Sequence, residues 1–284
     1  MVIKMKVEKT IDAVRAQVKA WKKEGLTVGF VPTMGYLHEG HKSLITRAVA
    51  ENDRVVVSIF VNPIQFGPKE DLSTYPRDLA ADTVLCEDAG AALIFAPEVS
   101  EMYADDFTTF VDTSGVSQEL CGKSRPIHFR GVCTVVNKLF NIVTPDCAYF
   151  GEKDAQQLAV IRRMVRDLSM DVKIVGCPII REEDGLAKSS RNTYLSAEER
   201  KAALVLSKAI FAGKEMVEAG EKDGEKVLQT MRDIIETEPL AKIDYVEMVK
   251  WDTIEVQREI DGPVLVAIAV FIGKTRLIDN FITD

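Results

Sequence analysis

The chain has 284 residues, of which 46% are hydrophobic and 28% are charged, as in a globular protein with one large or two modest domains. Its formal net charge of −8 argues against nucleic acid as the main partner, because phosphate neutralisation needs clustered Lys and Arg. No apolar run approaches the ~20 residues that span a bilayer, and no secretory signal is evident. The five cysteines are scattered as in a reduced protein, so we expect a cytoplasmic protein without membrane partners.

The first two thirds of the sequence alternate between helical and strand patterns. In chain order we predict a helix at 8–24, a strand at 26–31, a helix at 41–52, a strand at 55–61, a helix at 80–89, a strand at 92–95, a helix at 134–143, a strand at 147–150, a helix at 155–168 and a strand at 172–175. This alternation predicts an α/β fold, a Rossmann-like doubly wound parallel sheet with helices on both faces. Ligands bind such sheets at the carboxyl ends of the strands.

The pattern changes after about residue 180. Two long helical patterns are followed by three strands that are joined by short turns, and we place them at 197–220, 225–238, 243–249, 264–272 and 275–282. Helices followed by an antiparallel group predict a second, smaller α+β domain. We therefore expect one domain at 1–180 and another at 181–284.

The strongest local signal is PTMGYLHEGH, from Pro32 to His41, between a predicted strand and a predicted helix. The start of a helix presents unpaired N–H groups and the positive end of its dipole, and both suit phosphate. His38 and His41, two of the chain's three histidines, are three residues apart, and Gly40 allows a ligand close to the backbone. The alternatives are chance histidines or a metal pair, but Glu39 is the only further metal-ligating side chain nearby.

Two later segments supply cations and hydroxyl groups. GEKD at 151–154 follows a predicted strand and places Lys153 at the ligand edge, and two glutamines follow at 156 and 157. KSSRN at 188–192 offers two hydroxyls flanked by cations, which suits a polyphosphate. Alone, each segment also fits a solvated loop. Their spacing behind the histidine motif favours phosphate binding.

Together these segments resemble the HIGH-type nucleotidylyltransferase superfamily, which has a histidine motif early and a KMSKS-like loop late. Further segments resemble, more narrowly, the pantoate–β-alanine ligase family. They are FVNPIQFG at 60–67, DLSTYPRD at 71–78, FRGV at 129–132 and KSSRN at 188–192. The resemblance runs from about residue 28 to the C-terminus. Lys188 departs from the family, which usually has Met or Leu at this position.

The resemblance implies an enzyme that uses ATP to convert pantoate into pantoyl-adenylate and then joins it to β-alanine. Pantothenate, a precursor of coenzyme A, would be formed, and AMP and pyrophosphate would be released. The resemblance also implies Mg²⁺ as a cofactor and a homodimer. The partners would be the small substrates pantoate, β-alanine and ATP.

The resemblance also implies roles for individual residues. His41, His38, Lys153 and Arg191 would be catalytic. Gln65 would contact pantoate and the incoming β-alanine, Gln157 would hold pantoate, Asp82 would help to place Mg²⁺, and the second domain would cover the site. The ATP site would comprise Met34, Gly35, Tyr36, Leu37, His38, Glu39, Gly40, His41, Gly151, Glu152, Lys153, Asp154, Ile180, Lys188, Ser189, Ser190 and Arg191.

Two other functions fit parts of the same pattern. A nucleotidyltransferase that moves AMP to a phosphate-bearing acceptor would share the histidine motif, but Gln65 and Gln157 are neutral and better suit an acid with an uncharged tail. A non-catalytic nucleotide-binding regulator would not need the histidines and cations of the motifs intact. For two further residues we favour structural interpretations: Asn62 as part of a turn, and His128, with Arg125 and Arg130, as part of a solvated basic loop, with attraction of anionic substrate as the alternative for that loop.

Overall fold

A computed structural model describes residues 5–68 and 70–283, which form two compact units. The first unit holds the described residues of Met1–Thr113, Ile127–Glu152 and Val160–Pro178. The second unit holds those of Ser114–Pro126, Lys153–Ala159 and Ile179–Asp284. Each unit is therefore built from segments that are separated along the chain.

The first unit contains a six-stranded sheet in which all paired neighbours are parallel. Its strands are β1 (Lys6–Glu8), β2 (Val28–Thr33), β3 (Arg54–Ile59), β4 (Leu93–Phe95), β5 (Cys147–Gly151) and β6 (Lys173–Cys177). The prediction of a doubly wound parallel sheet is confirmed. The short edge strand β1 was not predicted, because three residues are too few for a periodic pattern.

The strand order β1-β4-β3-β2-β5-β6 reverses direction between β2 and β5. From β2 the chain first adds β3 and β4 on one side and later adds β5 and β6 on the other. Ligands of open α/β sheets bind at the carboxyl ends of the strands beside such a reversal. The fold therefore directs attention to the residues that follow β2 and β5.

The helices are named in chain order across both units. They are α1 (Ile11–Lys23), α2 (Glu39–Glu51), α3 (Leu79–Asp88), α4 (Val99–Met102), α5 (Cys121–Ser124), α6 (His128–Val143), α7 (Ala155–Asp167), α8 (Ala197–Ala202), α9 (Leu204–Glu218) and α10 (Gly224–Glu236). Short 3-10 turns lie at Pro63–Gln65, Glu152–Asp154 and Ser190–Tyr194. In the part of the chain that the structure describes, none of these helices is long and apolar enough to cross a membrane.

Helices α1 and α6 begin at residues other than those predicted from the sequence. The Thr10 side chain accepts a hydrogen bond from the Ala13 N–H, so α1 starts later than the predicted residue 8. Helix α6 starts at His128, six residues before the predicted start at 134. Its first turn contains Gly131, and glycine has a low helix propensity, so the sequence pattern does not show this turn as helical. Tertiary packing can nevertheless stabilise a helix there. The FRGV segment therefore lies on a helix.

The second unit contains a three-stranded antiparallel sheet of β7 (Ala241–Lys250), β8 (Val264–Ile272) and β9 (Thr275–Ile282). The central strand β8 is almost wholly buried, which explains its continuous apolar sequence. Helices α9 and α10 pack on each other and on this sheet. The predicted α+β character is confirmed, but the single helix predicted at 197–220 is wrong, because the chain forms α8 and α9 with a break at Ala203.

Candidate active site

The predicted site residues of the first unit follow the carboxyl ends of its central strands. Strand β2 ends at Thr33 and leads directly into residues 34–41, which we call the HxGH turn. Strand β3 ends at Ile59, shortly before the turn that carries Gln65. Strand β5 ends at Gly151. In a parallel sheet these ends lie along one edge, so the first unit places its candidate residues where the fold predicts a ligand.

A buried carboxylate holds the middle of the HxGH turn. The two oxygens of Asp82 accept hydrogen bonds from the backbone N–H groups of Tyr36 and Leu37, at 2.9 and 2.6 Å. Gly35 and Tyr36 both have positive φ angles, +85° and +52°. A Cβ atom on Gly35 would lie 2.9 Å from Ile59 Cγ2 and 3.0 Å from Asp82 Oδ2. Glycine is therefore required both by the backbone conformation and by the close approach of its neighbours.

Asp82 is only 2% exposed. Burial raises the pKa of its carboxyl group, against the lowering effect of the two N–H donors. We predicted that Asp82 helps to place Mg²⁺, and this role stays a prediction. What the structure adds is a second task, because both oxygens already fix the backbone of the HxGH turn.

The two histidines of the motif cap helix α2 reciprocally. His38 is the residue before the helix, and its Nδ1 accepts from the Gly40 N–H at 3.1 Å. The Nδ1 of His41 accepts from the His38 N–H at 3.3 Å, and the two rings lie with centroids 4.1 Å apart. A ring nitrogen that accepts carries no proton, so each neutral ring carries its proton on Nε2. Both imidazoles therefore have an Nε2–H donor at the start of a helix.

Gln65 lies in a tightly packed polar cluster of the first unit. Its Nε2 donates to Met34 Sδ at 3.3 Å, and its Oε1 accepts from Asn62 Nδ2 at 2.9 Å. A Cβ atom on Gly131 would lie 2.5 Å from Gln65 Cα, so only glycine lets α6 pack so close to this turn. His128 Nδ1 lies 3.1 Å from the Gln65 carbonyl oxygen, and because that oxygen only accepts, Nδ1–H is the donor.

These contacts correct two interpretations from the sequence. His128 is buried rather than part of a solvated basic loop. Asn62 is more than a turn residue, because its side chain connects Gln65 to the Gly131 carbonyl. Asn62 lies inside the FVNPIQFG segment and His128 directly before FRGV, but Asn62 bonds to a carbonyl 69 residues away and His128 to one 63 residues away. Only the fold reveals such partners.

The two neighbouring glutamines of α7 have different surroundings. Gln156 is buried, and its Nε2 donates to the carbonyls of Val116 and Glu119 while its Oε1 accepts from the Cys121 N–H. Gln156 therefore fastens the segment at 114–126 within the second unit. Gln157 is half-buried, and no residue in the described ranges forms a hydrogen bond with its side chain. Of the two amides, Gln157 is the one with hydrogen-bonding capacity left for a ligand.

Lys153 and Asp154 lie together just before α7. The Lys153 Nζ is 3.7 Å from Asp154 Oδ2, and the lysine side chain is largely covered while the aspartate is exposed. The Lys153 carbonyl accepts from Asn280 Nδ2 at 2.9 Å, which ties this turn to β9 of the second unit. The backbone of Lys153 is thus fixed, while its ammonium group lies at the end of a long side chain.

The remaining candidates lie on a hairpin of the second unit. The Lys188 N–H donates to the Ile180 carbonyl at 2.9 Å, and Arg181 pairs with Ala187 across the hairpin. Residues 188–192, which we call the serine loop, follow it. Ser189 Oγ accepts from the Arg191 N–H at 3.3 Å and so starts the 3-10 turn that contains Ser190 and Arg191.

Glu182 holds the serine loop, and no sequence signal pointed to it. One carboxylate oxygen accepts from Asn192 at 3.0 Å and lies 3.9 Å from the Lys188 Nζ, and the other lies 2.9 Å from Arg200. Burial alone would raise the pKa of Glu182, but the hydrogen bonds from Asn192 and Arg200 and the charges of Lys188 and Arg200 lower it on balance. Glu182 is therefore an anion that neutralises nearby cations.

The described residues contain no group of three or more His, Cys, Asp or Glu side chains that could hold a metal ion. The metal-pair alternative for His38 and His41 therefore gains no support from a third ligand among them. Mg²⁺ commonly binds through one or two carboxylates together with substrate phosphates and water, rather than in an all-protein cage. A single carboxylate such as Asp82 is compatible with Mg²⁺ that is bound mainly by phosphates and water.

Known proteins similar to this chain match it over nearly its whole length. The family model described as pantoate-beta-alanine ligase matches residues 6–282. The chain is 64% identical to pantothenate synthetase of Ruminiclostridium cellulolyticum over 277 residues, and 64% identical to that of Enterococcus faecalis over 279 residues, with 98% of each chain covered in both comparisons.

Two solved structures extend this similarity to the fold. Pantothenate synthetase from Thermus thermophilus has a TM-score of 0.92 at 46% identity, covering 98% of this chain and 99% of that chain. A pantoate-beta-alanine ligase from Francisella tularensis, complexed with beta-gamma ATP and beta-alanine, has a TM-score of 0.79 at 34% identity, covering 98% and 97%.

Proposed function

The chain belongs to the pantoate–β-alanine ligase family and joins pantoate to β-alanine, and we propose that it does so with ATP through a pantoyl-adenylate intermediate. The observation that carries the proposal is the reciprocal histidine cap at the start of α2, beside the reversal of the sheet. It combines a helix N-terminus with two imidazole Nε2–H donors, a combination suited to the phosphates of ATP.

The chemistry requires activation because a carboxylate has no adequate leaving group for attack by an amine. In the first step a pantoate carboxylate oxygen attacks the α-phosphorus of ATP. The bond between the α-phosphorus and the oxygen bridging to the β-phosphate breaks, and pyrophosphate leaves. The product is a mixed anhydride, pantoyl-adenylate, whose leaving group is now AMP.

In the second step the neutral amine of β-alanine attacks the acyl carbon of that anhydride. The bond from the acyl carbon to the AMP oxygen breaks, AMP leaves with the electron pair, and the amine loses a proton as the amide forms. Neither step uses a covalent bond to the protein. Catalysis then depends on positioning the reactants and on stabilising charge at the phosphates.

The HxGH turn supplies the proposed contacts of the first unit with ATP. The backbone of residues 34–37 is fixed by Asp82, and the α2 N-terminus with Gly40 and Glu39 follows it. His38 and His41 would donate Nε2–H hydrogen bonds to phosphate oxygens, and His41 would act through this hydrogen bond rather than by transferring a proton. Because Asp82 and the reciprocal histidine cap fix this geometry, little reorganisation is needed in the transition state.

Residues 151–154 and the serine loop supply the proposed cations and hydroxyls. Lys153 would contact a phosphate and Asp154 the ribose, next to Gly151 and Glu152. The nucleotide would be contacted by the Ile180 backbone and by four residues of the serine loop, Lys188, Ser189, Ser190 and Arg191. Arg191 would stabilise the negative charge that develops on the departing pyrophosphate. A cluster of donors at the triphosphate is the expected requirement of this chemistry.

Gln65 and Gln157 supply the proposed contacts with the acid substrate. The amide nitrogen of Gln65 already points at Met34 of the HxGH turn, and the Gln157 amide has capacity for a ligand. Neutral amides hold a carboxylate or a hydroxyl without repelling the negative phosphates beside it. Gln65 would also contact the incoming β-alanine.

Mg²⁺ would lower the charge of the triphosphate, with Asp82 as the candidate residue near it and the phosphates as its main ligands. We further propose that the enzyme works in the cytoplasm, which is supported by five free cysteines at positions 86, 121, 133, 147 and 177. A homodimer is proposed from the family resemblance. Sedimentation equilibrium with Mg-ATP present tests that oligomeric state.

Isotope exchange between pyrophosphate and ATP tests the two-step order. The exchange should require pantoate and Mg²⁺ but not β-alanine, because pyrophosphate is released before the amine reacts. Exchange that appears only after β-alanine is added would exclude a free-standing first step. A nucleotidyltransferase would instead transfer AMP to a phosphate-bearing acceptor, and a nucleotide-binding regulator would release no pyrophosphate with any acid.

A further inference from the structure

Hydrogen bonds around Asn62 allow the orientation of two side-chain amides to be worked out without ambiguity. The oxygen and nitrogen of an amide are hard to tell apart, but a backbone carbonyl can only accept. The carbonyl oxygen of Gly131 lies 3.1 Å from the Asn62 amide, so the Asn62 atom that faces it is the nitrogen, Nδ2. The direction of the remaining hydrogen bonds follows from this fixed point.

Asn62 Nδ2 has two hydrogens, and the second points at Gln65 Oε1 at 2.9 Å. Asn62 Oδ1 is then an acceptor, and the hydroxyl of Tyr103 donates to it at 2.8 Å. With its oxygen engaged, Gln65 presents its amide nitrogen. One hydrogen of that nitrogen points at Met34 Sδ at 3.3 Å, and no described residue accepts the other. Gln65 is only 7% exposed, so little bulk solvent competes for it.

The Tyr103 ring is itself held firmly. It lies edge-on to Phe107 at a centroid distance of 4.9 Å and 6.2 Å from the Phe60 ring. Burial raises the pKa of the Tyr103 hydroxyl, so the group keeps its proton and stays a donor throughout the neutral range. The chain of hydrogen bonds from Tyr103 through Asn62 to Gln65 therefore has one stable direction.

We propose that Tyr103 is a positioning residue that, through Asn62, fixes the Gln65 amide as a hydrogen-bond donor toward a carboxylate or hydroxyl oxygen of pantoate. This inference rests on the proposed function, in which Gln65 contacts the acid substrate. Without the Tyr103 hydroxyl, Asn62 Oδ1 loses its donor and the orientation of both amides is less firmly held. A Gln65 that presented its oxygen instead would repel the carboxylate of the substrate.

The first test is Tyr103→Phe, which keeps the ring and removes only the hydroxyl. We expect the KM for pantoate to rise about fivefold to tenfold, the change in affinity that accompanies loss of about one hydrogen bond, while the KM for ATP changes less than about twofold. Equal changes in both KM values, with a lower melting temperature, would mean that Tyr103 is merely structural and would overturn the proposal.

Tyr149→Phe is a matched control. The Tyr149 hydroxyl donates to Glu51 at 2.8 Å and accepts from Asn52 at 2.8 Å, and the residue is buried in β5. Removing it also breaks buried hydrogen bonds, but these do not reach Gln65. We expect Tyr149→Phe to lower the melting temperature at least as much as Tyr103→Phe while leaving the pantoate KM unchanged.

The decisive test combines Tyr103→Phe with Gln65→Ala. If Tyr103 acts through Gln65, Tyr103→Phe should change the pantoate KM by less than about twofold once Gln65 is Ala, because there is no amide left to orient. Single effects that multiply in the double variant overturn the relay and leave the ligase function intact. A wild-type enzyme that shows no pantoate-dependent turnover would instead overturn the proposed function, and the relay with it.

Discussion

The HxGH turn and the serine loop are both proposed to contact the phosphates of ATP, but they are held in place by different means. In the HxGH turn, backbone N–H groups donate to Asp82 and to the histidine Nδ1 atoms. In the serine loop, Glu182 binds Asn192 and lies close to the positive charges of Lys188 and Arg200. In the HxGH turn the carboxylate of Asp82 fixes the backbone, whereas beside the serine loop the carboxylate of Glu182 holds cationic side chains.

This difference separates charge from geometry as sources of the proposed phosphate binding. In the HxGH turn, the histidine cap and Asp82 set the positions of both imidazole rings and of the helix N-terminus. In the serine loop, part of the positive charge that the sequence displays is compensated by Glu182. A lysine in a loop that is proposed to bind phosphate is therefore not automatically a phosphate ligand. Substitutions in the first region should therefore have larger effects than neutralising Lys188 in the second.

The largest effect should come from His41→Ala. This change removes an Nε2–H donor from a preorganised position, and we expect pantoate-dependent pyrophosphate–ATP exchange to fall by ~10²–10³. His41→Asn is the matched control, because its side-chain oxygen can still accept from the His38 N–H and keep the helix cap. We expect Asn to restore thermal stability but not exchange. Near-normal exchange in either variant would remove His41 from the proposed catalytic group.

The next effect in size should come from Asp82→Asn. The amide keeps one acceptor for the HxGH turn but loses the second, which leaves a backbone N–H of Tyr36 or Leu37 without its partner. We expect the KM for ATP to rise by ~10–30-fold, the equivalent of one poorly satisfied buried donor. This rise should persist at saturating Mg²⁺, because the lost hydrogen bond belongs to the backbone of the HxGH turn, whereas the proposed share of Asp82 in placing Mg²⁺ should show separately as a higher half-maximal Mg²⁺ concentration.

The Mg²⁺ titration separates the two tasks considered for Asp82. If its main task is to bind the metal, the variant should need much more Mg²⁺ while its KM for ATP, measured at saturating Mg²⁺, returns to the wild-type value. That result would weaken the contrast between the two regions. It would mean that the anion of the HxGH turn also acts through a cation.

Gln156 and Gln157 are adjacent, but the Gln156 amide is hydrogen-bonded within the protein, whereas the Gln157 amide has capacity for a ligand. Gln157→Glu would place a negative charge beside the pantoate carboxylate, and we expect the pantoate KM to rise about tenfold with little change for ATP. Gln156→Glu is the control. It removes the donor to the Val116 and Glu119 carbonyls, so we expect a lower melting temperature and a nearly unchanged pantoate KM. Equal effects on both substrates in Gln157→Glu would make that residue structural too.

Much of the fold followed from the sequence, because strand and helix periods alternate clearly and strand β8 is apolar along its length. The position of the HxGH turn after β2 was also predicted. The supporting residues were not. Tyr103 and Gly131 act on partners far along the chain. The partners of Glu182 are nearer, but nothing local distinguishes a glutamate that holds a loop from one that faces solvent. The groups proposed to touch substrate lie in segments that resemble the family, whereas the residues that fix those groups are recognisable only in the folded structure.

Lys188→Met should have the smallest effect, and it tests the comparison most directly. The lysine lies 3.9 Å from Glu182, which keeps its bonds to Asn192 and Arg200 when the lysine is removed. A partly exposed, already paired ammonium group contributes little, typically ~0–1 kcal/mol, so we expect kcat/KM for ATP to fall by less than about tenfold.

Lys153→Ala is the reference, because its turn is tied to β9 through Asn280, and it should lose at least ~10²-fold. Both variants should be measured at two salt concentrations, since screening weakens an exposed charge first. If Lys188→Met is as damaging as Lys153→Ala, Lys188 leaves Glu182 to bind phosphate, and the serine loop then depends on charge at the one position where this chain departs from its family.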